Sequence, residues 1–172
     1  MSTFKRSVTT ERAKPVAKTV TASSTQLSVF ADTIEVHTTA RIELIDLTGV
    51  VTGLVAASGI KEGTLSLWSM HTTCSVIINE SQKALESDIL AFLEHAVAQQ
   101  HYYKHNDPAH SDCDRQNADS HLRAMLLGHS LTMQISGGEL VLGQWQRVLC
   151  AEMDGPRTRT IRAQVLGLGA GS

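Results

Sequence analysis

Apolar and polar residues fall into organised stretches only from Leu27 onward. Leu27, Val29, Ile34 and Val36 mark short extended segments, and residues 41–47 alternate closely enough to predict a strand. Val50, Val51, Leu54 and Val55 then sit at helical spacing between Thr48, an acceptable N-cap, and Gly59, a stop signal, which predicts a first helix over residues 49–57. Gly63 opens a turn. Beyond it Leu65, Leu67 and Ser69 alternate against Thr64, Ser66 and Trp68, and a further extended run covers residues 74–78. Ile89, Leu90, Phe92, Leu93, Ala96 and Val97 form one stripe, so residues 87–100 predict the longest amphipathic helix. Residues 103–116 are polar, contain Pro108 and read as a long loop of the kind that carries function or stays disordered. A short helix is expected over residues 117–127, closed by Gly128. Three strand-like stretches follow, 130–136, 139–152 and 158–166, with Gly137-Gly138 as a hairpin turn between the first two. Helices interspersed with strands and followed by a strand-rich end predict an α+β domain rather than a doubly wound sheet.

The chain of 172 residues is the length of one ordinary domain and needs no disulfide or metal merely to fold. Its net charge of −2 divides unevenly. Residues 1–30 carry Lys5, Arg6, Arg12, Lys14 and Lys18 against Glu11 alone, which leaves the rest strongly acidic and argues against a nucleic-acid partner. Residues 1–26 are a basic, Ser/Thr-rich arm without periodicity and read as a flexible segment or a transit peptide; the folded domain is expected over 27–172. No apolar stretch follows Lys5 and Arg6 as a secretory signal would need, and no run of about 18 apolar residues offers a membrane span. Cys74, Cys113 and Cys150 are scattered and odd in number, which fits a reducing compartment and predicts a cytoplasmic protein.

Six of the eight histidines, His95, His101, His105, His110, His121 and His129, fall within 35 positions. His95 and His129 read as surface or capping side chains. His105 and His121 bracket the polar loop, and His71 stands in His71-Thr72-Thr73, a polar break between apolar runs that asks for partners. A neutral imidazole is both a metal ligand and a general base near neutral pH. His71, His105 and His121 are therefore candidate catalytic groups and a candidate set of ligands for zinc, magnesium or a similar divalent ion. A hydrogen-bonded core imidazole is the plainer reading of His71. Asn79-Glu80 emerges at the end of an apolar strand, as a helix cap or as part of a site, with Asn79 a binding and Glu80 a catalytic candidate. Arg157 and Arg159, two apart after Asp154-Gly155-Pro156, share one side of a strand and suit a pyrophosphate or carboxylate, or else form solvated rim charges. Cys74 reads as a buried core thiol and Cys113 as a loop residue between acids. Gly-x-Ser-x-Gly is absent, which argues against covalent acyl chemistry.

Taken in order, His71-Thr72-Thr73-Cys74, Asn79-Glu80, Tyr103-Lys104-His105-Asn106-Asp107, Ser120-His121-Leu122, Leu127-Gly128, Leu142-Gly143-Gln144-Trp145-Gln146 and Asp154-Gly155-Pro156-Arg157-Thr158-Arg159 resemble the motifs of the YjbQ family, also called secondary thiamine-phosphate synthase enzymes. The resemblance spans roughly residues 28–167; Gln144 stands where the family usually has Thr, and residues 110–116 depart from its usual loop. It implies a compact single α+β domain with curved mixed sheets and two or three helices, a homotrimer, and one site gathering the polar motif residues, Thr72 among them as a substrate contact. It also implies a weak thiamine-phosphate synthase activity that joins an aminopyrimidine diphosphate to a thiazole phosphate. A metal-dependent hydrolase of a small phosphorylated metabolite and a non-catalytic ligand-binding or assembly protein are the rival classes.

Overall fold

A computed structural model of the protein describes residues 13–16, 22–23 and 27–169. The first segments are β1 (Ala13–Val16), β2 (Ala22–Ser23), β3 (Ser28–His37) and β4 (Glu43–Asp46), followed by α1 (Thr48–Ser58), β5 (Ile60–Ser69) and β6 (Cys74–Asn79). Then come α2 (Lys83–Ala96), a single 3-10 turn at Lys104–Asn106, α3 (Ala118–Leu127), β7 (Ser130–Ser136), β8 (Glu139–Leu140), β9 (Arg147–Glu152) and β10 (Thr158–Gly169). The larger sheet has the order β1-β3-β10-β5-β7-β8, with β2 also on β3, and the smaller one β4-β9-β6. The fold is α+β with curled sheets, and every ladder among the described strands is antiparallel. Two pieces of the basic arm, β1 and β2, lie along the edge of β3 that β10 leaves open. The rest of the arm lies outside the described residues.

Three layers result. The inner face of the large sheet, the smaller sheet and α1 share one core, with Ile34, Leu65, Leu67, Ile161 and Val165 from the first packed with Val76, Val148 and Cys150 from the second and Val51 and Val55 from the helix. The other face of the smaller sheet carries Ala151 and Met153 and is covered by Leu93 of α2 and Ala124 of α3. β9 is therefore buried on both faces, with Val148, Cys150 and Glu152 toward the large sheet and Ala151, joined by Met153 just past the strand's end, toward the helices.

Several boundaries differ from the sequence reading for local reasons. The expected strand over 139–152 is broken after Leu140, because Gln146 folds back onto Gly143, accepting the Gly143 N–H at its Oε1 (2.7 Å) while its own N–H reaches the Gly143 carbonyl (3.0 Å). α2 starts at Lys83 rather than 87, because Gln82 caps it by accepting the Leu85 N–H at 2.8 Å. Thr48 is not the cap of α1; its hydroxyl accepts the Val148 N–H (2.9 Å) and ties the helix to β9. Gly59 does end α1, in the left-handed conformation at φ 69°. Trp68 and Trp145, candidate interface or core anchors, are both exposed and so are not part of the core.

Candidate functional site

The chain passes from the small sheet to the large one between β9 and β10, and this crossing builds one wall of the site. Glu152 ends β9 facing inward, and Arg159, the second residue of β10, meets it. Arg159 donates from Nε to Glu152 Oε2 (2.5 Å), from Nη2 to Oε1 as well, and from Nη2 to Thr73 Oγ1 (3.0 Å). Thr38 Oγ1 donates to Glu152 Oε2 (3.1 Å), and the Asp154 N–H donates to Oε1 (2.7 Å). Both charges are buried and every oxygen of Glu152 is occupied, so the pair closes on itself. Paired arginines facing a ligand are thus not what the structure contains: Arg159 serves the interior. Gly155 is required where it stands, because a Cβ there would run into the Ala40 carbonyl and lie 2.8 Å from Thr38 Oγ1.

Asp154 organises the exposed side of the crossing. Its Oδ2 accepts from Asn117 Nδ2 (2.9 Å), Arg157 Nη2 (2.9 Å) and Arg115 Nε (3.2 Å), while Arg157 Nε reaches the Asp154 carbonyl (2.9 Å). Asn117, which precedes α3, turns its other face to His105, whose Nε2 lies 3.3 Å from Asn117 Oδ1. Because the Asn117 amide nitrogen is committed to Asp154, its oxygen accepts and His105 donates from Nε2.

His105 and His121 meet edge to face, with ring centroids 5.1 Å apart and planes at 85°. Together with Tyr103, Lys104, Ala118 and Leu122 they line a cleft of about 310 Å³. The polar loop and α3 supply this wall, as their spacing predicts. The His121 backbone N–H donates to the Asn117 carbonyl (3.3 Å), while its imidazole makes no hydrogen bond to the described residues. Partial burial, reinforced by His105, holds its pKa below the usual histidine value against the opposing pull of Asp154 and Asp119, so it is neutral at pH 7.

His71 is fixed differently. Its Nε2 accepts the Thr160 N–H at 2.9 Å, so a neutral ring carries its proton on Nδ1. Burial and then the Arg159 charge lower its pKa, with Glu152 opposing, and the neutral form is the one the fold favours. A ring in this state is a hydrogen-bond donor. It has no free lone pair for a metal or for base catalysis. Thr72 beside it is exposed, and its carbonyl lies 3.5 Å from His129 Nε2. His129 is also among the charges that act on His121, so the His71 turn and the cleft adjoin through it.

The expected metal centre does not fit this arrangement. Among the described residues no group of three or more His, Cys, Asp or Glu side chains is placed to hold an ion, and His71 has spent the nitrogen it would need. Asn79 and Glu80 lie elsewhere. Cys74 pairs with Glu152 across the ladder whereas Asn79 pairs with Arg147, so the two motifs are separated by the length of β6, about 16 Å at 3.3 Å per residue. Asn79 Oδ1 accepts the Glu80 N–H at 2.9 Å in a local turn. Cys74 and Cys150 are buried with their sulfurs 3.4 Å apart; the hydrogen bond between them, aided by burial, pushes the Cys150 thiol well above its usual pKa and lowers that of Cys74 against burial, and both sulfurs are enclosed in the core, out of reach of a ligand. Sequence reasoning missed Asn117 and Arg115, and has Glu152 only as a rim-charge partner of the arginines rather than a buried one. An acid closing the apolar run Val148 to Ala151 was the available signal for Glu152; Arg115, inside an irregular loop, gave none.

The fold and site define an antiparallel α+β protein with a histidine-lined cleft beside an arginine-bearing turn. The chain belongs to the YjbQ-like family of UPF0047 proteins, whose family model matches residues 32–168. A UPF0047 protein of Methanothermobacter thermautotrophicus is 43% identical over 141 residues, 82% of this chain and 94% of that protein. The UPF0047 protein YugU of Bacillus subtilis is 30% identical over 135 residues, 78% of this chain and 98% of its own. Among solved structures, a YbjQ-like protein of unknown function from Sulfolobus solfataricus P2 superposes with a TM-score of 0.77 at 34% identity, over 82% of this chain and 99% of that one.

Proposed function

We propose that the protein is a cytoplasmic enzyme acting on a small phosphorylated metabolite in the His105–His121 cleft, by a transfer of the thiamine-phosphate synthase type. One observation carries this reading: the cleft and the Arg157 turn share a single bridging side chain, Asn117, so an apolar-walled space and a guanidinium head adjoin. In such a transfer a thiazole nitrogen forms a bond to the pyrimidine methylene carbon as the carbon–oxygen bond to the diphosphate breaks, and the pyrophosphate leaves with the electron pair. Arg157 and the Nδ1–H of His71 are groups of the type that stabilises the departing oxygens. His121, held neutral, sets no positive charge against the cation that develops on the joined rings.

A metal-dependent hydrolase would need ligands that the His71 hydrogen bond removes, so no step is assigned to a metal. The test is to supply the purified chain, without added metal, with an aminopyrimidine diphosphate and a thiazole phosphate and to measure pyrophosphate release, with a phosphomonoester alone as the hydrolase control. Release that depends on both substrates supports the transfer. Phosphate release from the monoester favours hydrolysis instead, and tight binding without turnover would make this a ligand-binding protein.

We further propose a homotrimer, supported by Trp68, Met70, Leu166 and Leu168, which are exposed on or beside the β5–β10 ladder of the large sheet. Light scattering is expected to return three times the chain mass of 18.6 kDa, and a monomer mass would refute it.

A further inference from the structure

Arg115 enters no motif, yet it reaches the same oxygen as Arg157. It binds Asp154 Oδ2 through Nε alone, so both of its terminal nitrogens lack a hydrogen-bond partner among the described residues. Arg157 uses Nε and Nη2 and leaves Nη1. The Asp154 side chain is 8% exposed, whereas Arg115 is 52% and Arg157 33% exposed, so the carboxylate is hidden and two cationic heads face outward from it. Two positive charges held on one negative charge leave an excess of one, and Lys104 in the cleft lining adds another. The chain bends sharply to bring this about: Gln116, at φ +50°, is the only non-glycine with positive φ among the described residues, and it separates the two Asp154 donors Arg115 and Asn117.

We propose that Arg115 and Arg157, tethered to one oxygen of Asp154, form a phosphoryl-binding pair at the end of the cleft, and that Arg115 is a ligand-binding residue of the site. This rests on the reading of the cleft as the seat of a phosphorylated metabolite and names the part of that metabolite the turn receives. Planar guanidinium forks match the oxygens of a phosphomonoester or a diphosphate, and a dianion offsets the surplus charge where a monocarboxylate does so only in part. Asp154 is the positioning residue. It screens the repulsion between the two arginines and aims them while remaining out of reach of the ligand.

The experiment is calorimetric titration of the full chain with sodium pyrophosphate, sodium phosphate and, as the monoanion control, sodium acetate, at constant ionic strength. It compares wild type, Arg115→Gln, Arg115→Lys, Arg157→Gln and Arg162→Gln. Arg162 lies on the outer face of the large sheet, where its Nη1 donates to Thr33 Oγ1 at 3.2 Å, so it controls for bulk charge. Wild type is expected to bind pyrophosphate or phosphate in preference to acetate. Arg115→Gln should weaken that binding about ten- to hundredfold, Arg115→Lys less, and Arg162→Gln not at all. Unchanged binding in Arg115→Gln, or an equal loss in Arg162→Gln, overturns the pair. If Arg157→Gln alone weakens binding, the pair falls while the reading of the cleft stands. A wild type that binds neither anion and turns over no phosphorylated substrate removes both.

Discussion

Replacing Arg159 with Leu is expected to lower folding stability by about 3–5 kcal/mol, the cost of leaving a buried carboxylate without its counter-charge. Glu152 loses both guanidinium contacts in this variant and keeps only the Thr38 hydroxyl and the Asp154 N–H. Urea unfolding followed by circular dichroism reads the change directly. The double variant Glu152→Leu/Arg159→Leu should recover most of the loss, because removing both charges also removes the desolvation problem. A single variant within about 1 kcal/mol of wild type, the range of exposed pairs, would mean that water reaches the pair. This salt bridge joins β9 to β10 at the point where the chain changes sheets, so its failure should also loosen the turn that carries Asp154 and Arg157.

The second large effect falls on catalysis. Arg157→Gln is expected to slow pyrophosphate release about 10²- to 10³-fold in kcat, the usual cost of removing one positioned donor to a developing negative charge, with thermal stability little changed. Arg157→Lys should recover part of the rate, since it keeps the charge and loses the fork. The pH profile carries a separate signature. The pKa of His121 is held below the ordinary histidine value of 6.5, so the neutral cleft persists through mildly acidic conditions. Activity should therefore hold at pH 6.5 and fall only below it, as a charged imidazolium begins to oppose the cation on the joined rings. His121→Asn should abolish that acid limb. A rate that falls through pH 6.5 itself, or an unchanged profile in His121→Asn, would contradict the assignment. The same shifts act on folding: the unfolded chain takes up protons at His71 and His121 before the folded one does, so stability declines as pH drops from 6.5 toward the lowered values.

The elements that follow hydrophobic period alone were legible. The helix closed by Gly59, the strands beyond residues 64 and 74, the Gly137-Gly138 turn and the helix from residue 118 all arise near their expected places, because local chemistry decides them; the turn expected at Gly63 is instead strand, since β5 begins at Ile60 and Gly63 pairs with Ile135 and Gly167. The spacing predicts only short fragments where the single ten-residue β3 lies, since Asp32 and Thr33 interrupt the apolar alternation and the continuous register with β10 overrides that interruption. At the site, His105 and His121 stand side by side because one loop and one helix position both. The place of Arg159 was not legible: an i, i+2 spacing puts two arginines on one side of a strand but says nothing of Glu152, which arrives from the other sheet. For His71 the spacing offers a base's or ligand's role and, as the plainer reading, a hydrogen-bonded imidazole; the structure has the hydrogen bond, its acceptor occupied by a backbone N–H from a residue 89 positions away. Long-range hydrogen bonds of this kind fix proton positions, and no spacing rule encodes them.

That proton position is the centre of the account, and a two-bond proton–nitrogen NMR spectrum of the histidine-labelled protein at pH 7 measures it. The spectrum should place the His71 proton on Nδ1 with Nε2 unprotonated, give His121 as neutral, and remain unchanged on addition of zinc. A His71 proton on Nε2, or resonances of His71, His105 and His121 that shift together with the metal, would contradict the account and return these three residues to a metal centre.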